Sequence, residues 1–396
     1  MRRVAIVIAT GFVVLLMAIV VLSRGGTGLG GPRFVPGAPT SLPPFTSDHY
    51  NWIADAPFQG GKIWIWTAAG TNVHVYLYDL ERRVVLGELI NGSVPEVWRP
   101  DSSRLICQGQ DTSPKARLFE LLRKLFRGKI APFGNRTESF WMVGLRNNSA
   151  TRLGAISQFQ GAGSRWHAAP GSRYGYTQPT AARNGAIFLC DLDTGVARNI
   201  PISGSPKGWW NDREILVERG TNDFALLDVT TQTLRTLFGP SDISAFLTAA
   251  DLTNALLDTF ANWNGNEYDF YFGERANING LGATNAFLLK AERQGPTLRL
   301  LYRDFRFQWG GHLDSTATHY LYQGESGQPG HSGNGAVYLR DLTNGITVMV
   351  VPPDNKGQYA IPRFYGAEVI YFRNRLLYRR GLDGRNDTVV LPAAGK

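Results

Sequence analysis

Three histidines and an aspartate lie close together late in the chain, at His312, Asp314, His319 and His331. Imidazole and carboxylate groups suit metal binding and general acid–base catalysis. Alternation along "HLDSTATHYLY" predicts His312 in a turn and His319 on the following strand, which provides no shared metal site. We take His312, His319 and Asp314 as candidate catalytic residues, with exposed turn histidines as the alternative interpretation. We predict no metal and no cofactor.

Other catalytic signatures are missing from the sequence. It contains no G-x-S-x-G motif, phosphate loop, His-Glu-x-x-His motif or calcium-loop pattern. Asp191 and Asp193 of "CDLDTG" could form a carboxylate pair, but the pattern is typical of a hairpin turn in which carboxylates accept backbone hydrogen bonds. Cys107 and Cys190 fall in predicted strands of different repeats, and we expect buried thiols, with a disulfide as the alternative.

Two kinds of segment alternate along the chain. The first is an aromatic residue, a short turn and a β-rich run, as in "WRPDSSRLICQG" from Trp98, and weaker copies follow Trp52, Trp166, Trp210, Trp263, Trp309 and Phe364. The second is a β-hairpin, as in "IFLCDLDTGVARNI" from Ile187, which recurs in seven copies. One such unit cannot bury both faces of its small sheet, so its neighbours must stack around an axis. The sequence therefore predicts an all-β β-propeller of seven blades, and unequal spacing leaves six or eight blades open.

The chain from about residue 50 to its end resembles the TolB-type propellers, which are similar to WD40 proteins and carry a Pro-Asp turn in each repeat. The residues that carry the resemblance are Trp98, Pro100 and Asp101 in one turn, and Asp191, Thr194 and Gly195 in the other. The resemblance implies the fold and no particular function, because unrelated proteins use such propellers to bind partners or substrates.

The tryptophans are expected to pack between blades, because most occupy the repeating position. We predict that Trp98 is a packing residue and that Asp101 stabilises its turn. Trp209, which stands next to the repeating Trp210, is expected to be exposed and is a candidate binding residue.

The N-terminal segment Val4 to Leu22 comprises nineteen residues without a charge. That length spans a bilayer core of roughly 30 Å as a helix. We predict a transmembrane anchor in residues 1–22, a Gly/Pro-rich linker in 23–48 and the propeller in 49–396, with a cleaved signal peptide as the alternative. Arg2 and Arg3 favour a cytoplasmic N-terminus and a propeller in the periplasm or outside the cell.

An insertion at residues 113–134 interrupts one predicted blade. Its leucines recur with a helical period, and six cations with one acid lie between Lys115 and Lys129, so it predicts an amphipathic helix. Such a helix packs on its own protein, or it docks on an anionic membrane or a partner. The candidate docking residues are Leu118, Leu122, Arg123, Lys124, Phe126 and Arg127.

A second basic segment, Arg363 to Arg385, also contributes to the net charge of +9. Outside the cytoplasm a basic surface suits acidic polysaccharide or anionic lipid rather than nucleic acid. We predict a binding or scaffold protein of the cell envelope, whose partner is an envelope protein or glycan. The alternative is a lyase or hydrolase that acts on acidic polysaccharide at the propeller funnel, and it requires His312 and His319 to meet a carboxylate and an arginine in one pocket.

Overall fold

The computed structural model describes residues 31–37, 51–53, 61–69, 72–98, 103–110, 138–159, 166–169, 171, 173–179, 185–249, 257–263, 268–274, 285–291, 298–305, 312–313, 318–323, 336–353, 362–373 and 376–391. Nearly all of them lie in strands, and the described strands form seven antiparallel sheets. We number the sheets in chain order. In sheets 2 to 7 the four strands of a sheet are consecutive in sequence and adjacent in space.

The first three sheets contain the strands β1 to β13. Sheet 1 consists of β1 (Arg33–Pro36), β2 (Asn51–Ile53), β3 (Lys62–Ala69), β4 (Asn72–Asp79) and β5 (Val84–Ile90). Sheet 2 consists of β6 (Gly92–Trp98), β7 (Arg104–Gln110), β8 (Glu138–Gly144) and β9 (Ala150–Ala155), followed by a 3-10 helix (Ile156–Gln158). Sheet 3 consists of β10 (His167–Ala168), β11 (Tyr174–Thr177), β12 (Ala186–Asp191) and β13 (Val196–Pro201).

The remaining four sheets contain the strands β14 to β29. Sheet 4 consists of β14 (Ser205–Trp209), β15 (Glu214–Gly220), β16 (Asp223–Asp228) and β17 (Thr233–Phe238), followed by helix α1 (Pro240–Ala249). Sheet 5 consists of β18 (Leu257–Trp263), β19 (Tyr268–Glu274), β20 (Asn285–Ala291) and β21 (Leu298–Phe305). Sheet 6 consists of β22 (His312–Leu313), β23 (His319–Gln323), β24 (Val337–Asp341) and β25 (Thr347–Val351). Sheet 7 consists of β26 (Arg363–Tyr365), β27 (Glu368–Arg373), β28 (Leu376–Gly381) and β29 (Thr388–Leu391).

Middle strands such as β8 and β16 are mostly buried, whereas outer strands such as β13 and β17 are mostly exposed. In β8, "ESFWMVG", every residue after the first is buried, because the sheet has a neighbour on each side. In β13, "VARNIP", four of the six residues are exposed. The change from a continuous apolar run to a mostly polar strand is expected where a sheet passes from the core to the surface.

Successive sheets pack face to face. Separate apolar clusters join sheets 1 and 2, sheets 2 and 3, sheets 3 and 4, and sheets 6 and 7. The first strands β6, β10, β14 and β18 contact one another in succession, as the innermost strands of a ring do. Sheet 7 packs against sheet 1 through a further cluster that includes Ile63 and Ile370, and Tyr78 Oη donates a hydrogen bond to the Val390 carbonyl at 3.2 Å. This is the arrangement of a β-propeller.

The hairpins predicted from the sequence are confirmed. Each of the seven forms the last two strands of one sheet. Trp98 is 1% exposed and meets Trp64 of sheet 1 edge to face, with 5.7 Å between the ring centroids, so its predicted packing role is confirmed. Cys107 and Cys190 are buried free thiols, as expected.

Two elements were not predicted. Residues 33–36 of the predicted linker form β1, the outermost strand of sheet 1, because Phe34 is buried in the core between sheets 1 and 2. Helix α1 begins at Pro240, a residue that suits the first helical position, and the Asp242 carboxylate accepts a hydrogen bond from the Gly239 amide at 2.8 Å.

No helix in the described part of the chain is long and apolar enough to cross a membrane. The predicted anchor Val4 to Leu22, the helical insertion at 113–134 and the turn residue Asp101 lie outside the described residues.

Candidate functional site

The two ends of the sheets hold different connections, and the longest connections share one end. At one end, which we call the short-turn end, lie the connections from first to second strands and from third to fourth strands, counting from β2 in sheet 1. At the other, the long-connection end, second strands join third strands and one sheet joins the next, through segments as short as residues 221–222 and as long as residues 111–137. Residues 111–137, residues 324–335 and helix α1 all belong to connections at the long-connection end. Long surface connections on a rigid scaffold are the usual place for recognition.

Aspartates organise the short-turn end. The carboxylates of Asp79, Asp191, Asp228 and Asp341 each accept hydrogen bonds from backbone amides in the turn that follows. Partial burial opposes ionisation of Asp191, yet hydrogen bonds from Arg173 and two turn amides hold the pKa of its carboxyl below the ordinary value. The predicted turn role of Asp191 is therefore confirmed, and this carboxylate is a structural acceptor.

Arginines at the same end fix the turns to the sheets. Arg173 Nη2 lies 2.9 Å from Asp191 Oδ2, and Arg213 Nη2 lies 3.0 Å from Asp228 Oδ2. Arg104 of sheet 2 donates to the Leu192 carbonyl of sheet 3 at 2.8 Å. Arg173 and Arg213 thus join strands within one sheet, and Arg104 joins two neighbouring sheets.

The predicted histidine site is only partly described. His319 begins strand β23 as predicted, and its Nδ1 lies 2.9 Å from Thr318 Oγ1. His312 is in strand β22 and not in a turn, because pairing with Leu321 incorporates it into the sheet. His319 faces Asp341 across the strands, and that carboxylate is engaged in its hairpin turn. Asp314 and His331 lie outside the described residues. Among the described residues, no three His, Cys, Asp or Glu side chains form a group that could hold a metal ion.

Polar side chains on the innermost strands are engaged in local contacts. Glu96 accepts hydrogen bonds from Gln108 Nε2 at 2.6 Å and from the Trp166 amide at 3.4 Å. Lys207 Nζ lies 2.6 Å from Glu218 Oε2 on the neighbouring strand. These contacts lie within a sheet or between two adjacent sheets, so they bring no acid, base and cation together around one substrate position.

The described cysteines are not nucleophiles at neutral pH. Burial raises the pKa of the Cys107 thiol far above its ordinary value, and the negative charge of Glu96 acts in the same direction. Burial also raises the pKa of Cys190 to about 12. A thiol attacks as its thiolate, so neither side chain offers a reactive group.

The second basic segment joins sheet 7 to its neighbours. Arg379 Nη1 lies 3.3 Å from Glu81 Oε1 of sheet 1, and Arg379 Nε pairs with Glu368. Tyr365 also donates its hydroxyl hydrogen to Glu81, and burial together with this bond raises its pKa to about 12. Arg373 donates to the Pro352 carbonyl at 2.6 Å. Arg379 therefore joins sheet 7 to sheet 1, and Arg373 joins it to the residue that follows β25 of sheet 6; neither role was predicted from the sequence.

The prediction that Trp209 is exposed is wrong. Its side chain is 2% exposed and lies in the core between sheets 3 and 4. Trp209 pairs with Ile215 as Trp98 pairs with Leu105, so Trp209 occupies the repeating position that we had given to Trp210. Its Nε1 donates to the His167 carbonyl at 2.7 Å, which satisfies the indole within the core. Trp209 is therefore a packing residue.

A contact between the N-terminal segment and sheets 1 and 2 lies at the long-connection end. We call it the N-terminal junction and define it as residues 31–37 with Gly87 and Gly109. Phe34 packs edge to face on Trp64, with 5.9 Å between the ring centroids. Gly87 leaves space for that ring, since a Cβ on Gly87 would lie 2.3 Å from the Phe34 Cζ atom. This contact was not predicted, although Phe34 and Val35 form a short apolar run within the Gly/Pro-rich segment.

The N-terminal junction also touches β7, the strand that precedes the predicted helical insertion. Pro32 lies against Gly109, where a Cβ would come within 2.4 Å of the proline Cγ atom. Gly109 stands near the end of β7, and the chain leaves that strand into residues 111–137. Strand β1 runs antiparallel to β5, with Arg33 opposite Ile90. The N-terminal chain therefore reaches the fold at the long-connection end, beside the last residues of β7.

Comparison with known proteins gives structural likeness only. No model of a known protein family matches the chain. No curated protein sequence matches it either. Among solved structures the chain is similar to an oligogalacturonate lyase in complex with manganese, with 12% sequence identity and a TM-score of 0.49 over 89% of this chain and 98% of that one.

Two further solved structures have lower scores. The chain is similar to the β-propeller domain of Cps50 (Swd1) from Myceliophteria thermophila, with 10% identity and a TM-score of 0.45 over 90% of this chain and 100% of that one. It is also similar to TolB from Acinetobacter baumannii, with 14% identity and a TM-score of 0.35 over 82% of this chain and 77% of that one. Likeness at these levels says nothing about the activity of this chain.

Proposed function

We propose that this chain is a membrane-anchored, extracytoplasmic β-propeller of seven blades that acts as a binding or scaffold protein of the cell envelope. The observation that carries the proposal is the N-terminal junction, because it ties the segment that follows the predicted anchor to the rigid fold. The seven-bladed ring is supported by the seven described sheets and by the packing of sheet 7 on sheet 1.

The anchor is the apolar segment Val4 to Leu22, and the N-terminal junction shortens its connection to the propeller. Eight residues, Ser23 to Gly30, separate the apolar segment from Gly31. A fully extended chain of that length spans roughly 30 Å. The propeller is therefore held close to the membrane surface, with its long-connection end nearest the point of attachment.

The basic insertion is the docking element in this proposal. It follows β7, whose Gly109 lies against Pro32 of the N-terminal junction. Its predicted apolar stripe and flanking cations suit an anionic lipid surface or an acidic envelope protein or glycan. Membrane and partner would then meet the same end of the propeller.

Binding is favoured over catalysis by the roles of the titratable groups. In the described residues, carboxylates cap turns, arginines join sheets and the cysteines are buried. The polysaccharide-degrading alternative needs an acid, a base and a cation in one pocket, and the described His319 instead lies beside an Asp341 that is used by its turn.

Protease protection and N-terminal sequencing test the anchor. The full-length chain is expressed in a bacterial host, and protease is added to spheroplasts. We expect digestion of the propeller or its linker from outside and a mature N-terminus near Met1. Digestion only after detergent lysis would overturn the external location, and a mature N-terminus near Gly25 would overturn the anchor while leaving export intact.

A charge substitution tests the docking element. Leu122→Asp with Phe126→Asp places two carboxylates in the predicted stripe, and Thr112→Asp with Ser113→Asp adds the same charge outside it. We expect only the first pair to reduce binding to anionic vesicles or the recovery of crosslinked envelope partners, with an unchanged melting temperature. Unfolding of the first variant would show that the stripe is part of the core. Equal binding by both variants would disprove docking.

A further inference from the structure

The outer edges of the sheets differ in charge. Five of the seven outermost strands carry a charged residue, namely Arg33 on β1, Arg152 on β9, Arg198 on β13, Arg235 on β17 and Arg299 on β21. Strands β25, "TVMVV", and β29, "TVVL", have none. Charged residues on an edge strand prevent it from pairing with another chain, so sheets 6 and 7 lack a protection that the other sheets have.

The edge of sheet 6 is also apolar and exposed. Ile346, Val348 and Met349 are 58%, 46% and 52% exposed. Val389 on the neighbouring β29 is exposed as well. Single exposed apolar residues are ordinary, but here three lie within four consecutive positions at the edge of one sheet.

Sheet 1 shows how an outer edge of this fold is covered. There β1 pairs antiparallel with β5, from Arg33 opposite Ile90 to Pro36 opposite Gly87. In the described part of the chain, β25 has β24 on one side and no strand on the other. Its outward backbone groups are the ones that the same kind of pairing would use.

We propose that β25 pairs antiparallel with β25 of a second copy of this chain, so that the protein forms a twofold homodimer through the edges of sheet 6. A twofold axis at Met349 would set Thr347 opposite Val351 and Val348 opposite Val350. Every pair in this register is uncharged, so self-association brings no like charges together. The five charged outer strands would meet repulsion in the same arrangement.

A second copy fits this edge better than lipid does. Ile346 and Val348 lie toward the short-turn end, because β25 begins at the turn that follows Asp341. The N-terminal chain reaches sheet 1 at the opposite, long-connection end. The apolar edge therefore lies away from the end at which the chain approaches the fold.

The oligomeric state of the full-length chain in detergent tests the proposal. Val348→Lys puts a cation on the proposed interface, and Val196→Lys on β13 is the matched control at another exposed valine. By sedimentation equilibrium we expect a dimer for the unchanged chain and the control, and at least a tenfold higher dissociation constant for Val348→Lys. Melting temperatures measured at concentrations where all three proteins are monomeric should agree, because both valines are exposed.

A disulfide test examines the register. Met349→Cys at the proposed axis should give a covalent dimer on mild oxidation, whereas Val196→Cys should not, since a disulfide requires Cα atoms within about 7 Å. A monomer at all concentrations, or a dimer that Val348→Lys does not weaken, would overturn the proposal. A monomer that binds vesicles through Val348 would assign the edge to lipid instead. None of these outcomes depends on where the propeller resides in the cell.

Discussion

The outer edges of sheets 1 and 6 begin from the same local structure and end in different environments. In both, a hairpin joins the third and fourth strands, and an aspartate at its start, Asp79 or Asp341, accepts turn amides. On sheet 1 an extra strand, β1, covers the edge and buries Phe34. On sheet 6 the edge strand exposes Val348 and Met349. The hairpin sequence does not decide this difference, because the covering strand comes from a distant part of the chain.

This difference assigns the two edges to different tasks. Burial of an aromatic side chain stabilises the fold by a few kcal/mol, so the covered edge contributes to stability. An exposed apolar edge contributes little to the folded monomer and is available for association. Substitutions at sheet 1 should therefore change unfolding, and those at sheet 6 should change assembly.

The largest effect on the free energy of unfolding is expected for Trp98→Ala. Trp98 lies in the core between sheets 1 and 2, which also contains Phe34 of β1. Trp98 is almost fully buried against Trp64, so removing the ring should lower the free energy of unfolding by about 4 kcal/mol. Denaturant titration of the detergent-solubilised chain measures this loss, and Trp98→Phe should retain more of the stability. Loss of partner binding at unchanged stability would show that Trp98 is a recognition residue.

The second effect is expected for Phe34→Ala within β1. Loss of the phenyl ring from the core should lower the free energy of unfolding by about 3 kcal/mol. The adjacent Val35 is 38% exposed, so Val35→Ala should change the free energy of unfolding by less than about 0.5 kcal/mol. The same titration compares them. Equal effects would mean that β1 does not contribute through Phe34 and would remove the distinction between the two edges.

A smaller effect is expected for Gly87→Ala, which fills the space that Phe34 occupies. The new Cβ would lie 2.3 Å from the Phe34 ring and 2.6 Å from the Val35 carbonyl oxygen. Because both distances are far below van der Waals contact, we expect the free energy of unfolding to fall by about 2 kcal/mol. The cost should shrink in a Phe34→Ala background, because the ring clash is removed. Gly220→Ala is the control, since no atom lies within 4 Å of its Cβ position. Additive losses would argue against a shared contact.

The smallest effect concerns the turn that leads into β25. Hydrogen bonds from the Thr343 hydroxyl and amide lower the pKa of the Asp341 carboxyl. A lowered folded-state pKa means that this stabilisation is present above the ordinary aspartate pKa and is lost as the pH falls through the lowered value. Hydrogen exchange of residues 341–346, corrected for the intrinsic rate, should therefore accelerate on acidification. Asp341→Asn should remove this pH dependence. If the variant kept the same dependence of hydrogen exchange on pH, the Asp341 carboxylate would not be its cause.

Much of the fold was predictable because its signals are local. Apolar strand runs and polar turns, five of them with an aspartate, identified all seven hairpins, since strand period and turn chemistry depend on neighbouring residues. The packing of Trp98 followed from its recurrence. Trp209 was misassigned because two adjacent tryptophans compete for one position, and strand register decides between them.

The candidate site was less predictable because its contacts join distant segments. The sequence alone determined the repeat, the hairpin turns, the buried thiols and the composition of the N-terminal apolar segment. Only the tertiary structure decided that Phe34 fills the space at Gly87, that Arg379 reaches Glu81, and that β25 remains exposed. The physical reason is that a turn is stabilised by residues two or three positions apart, whereas the closure of a ring and the covering of an edge depend on the register of every sheet between them.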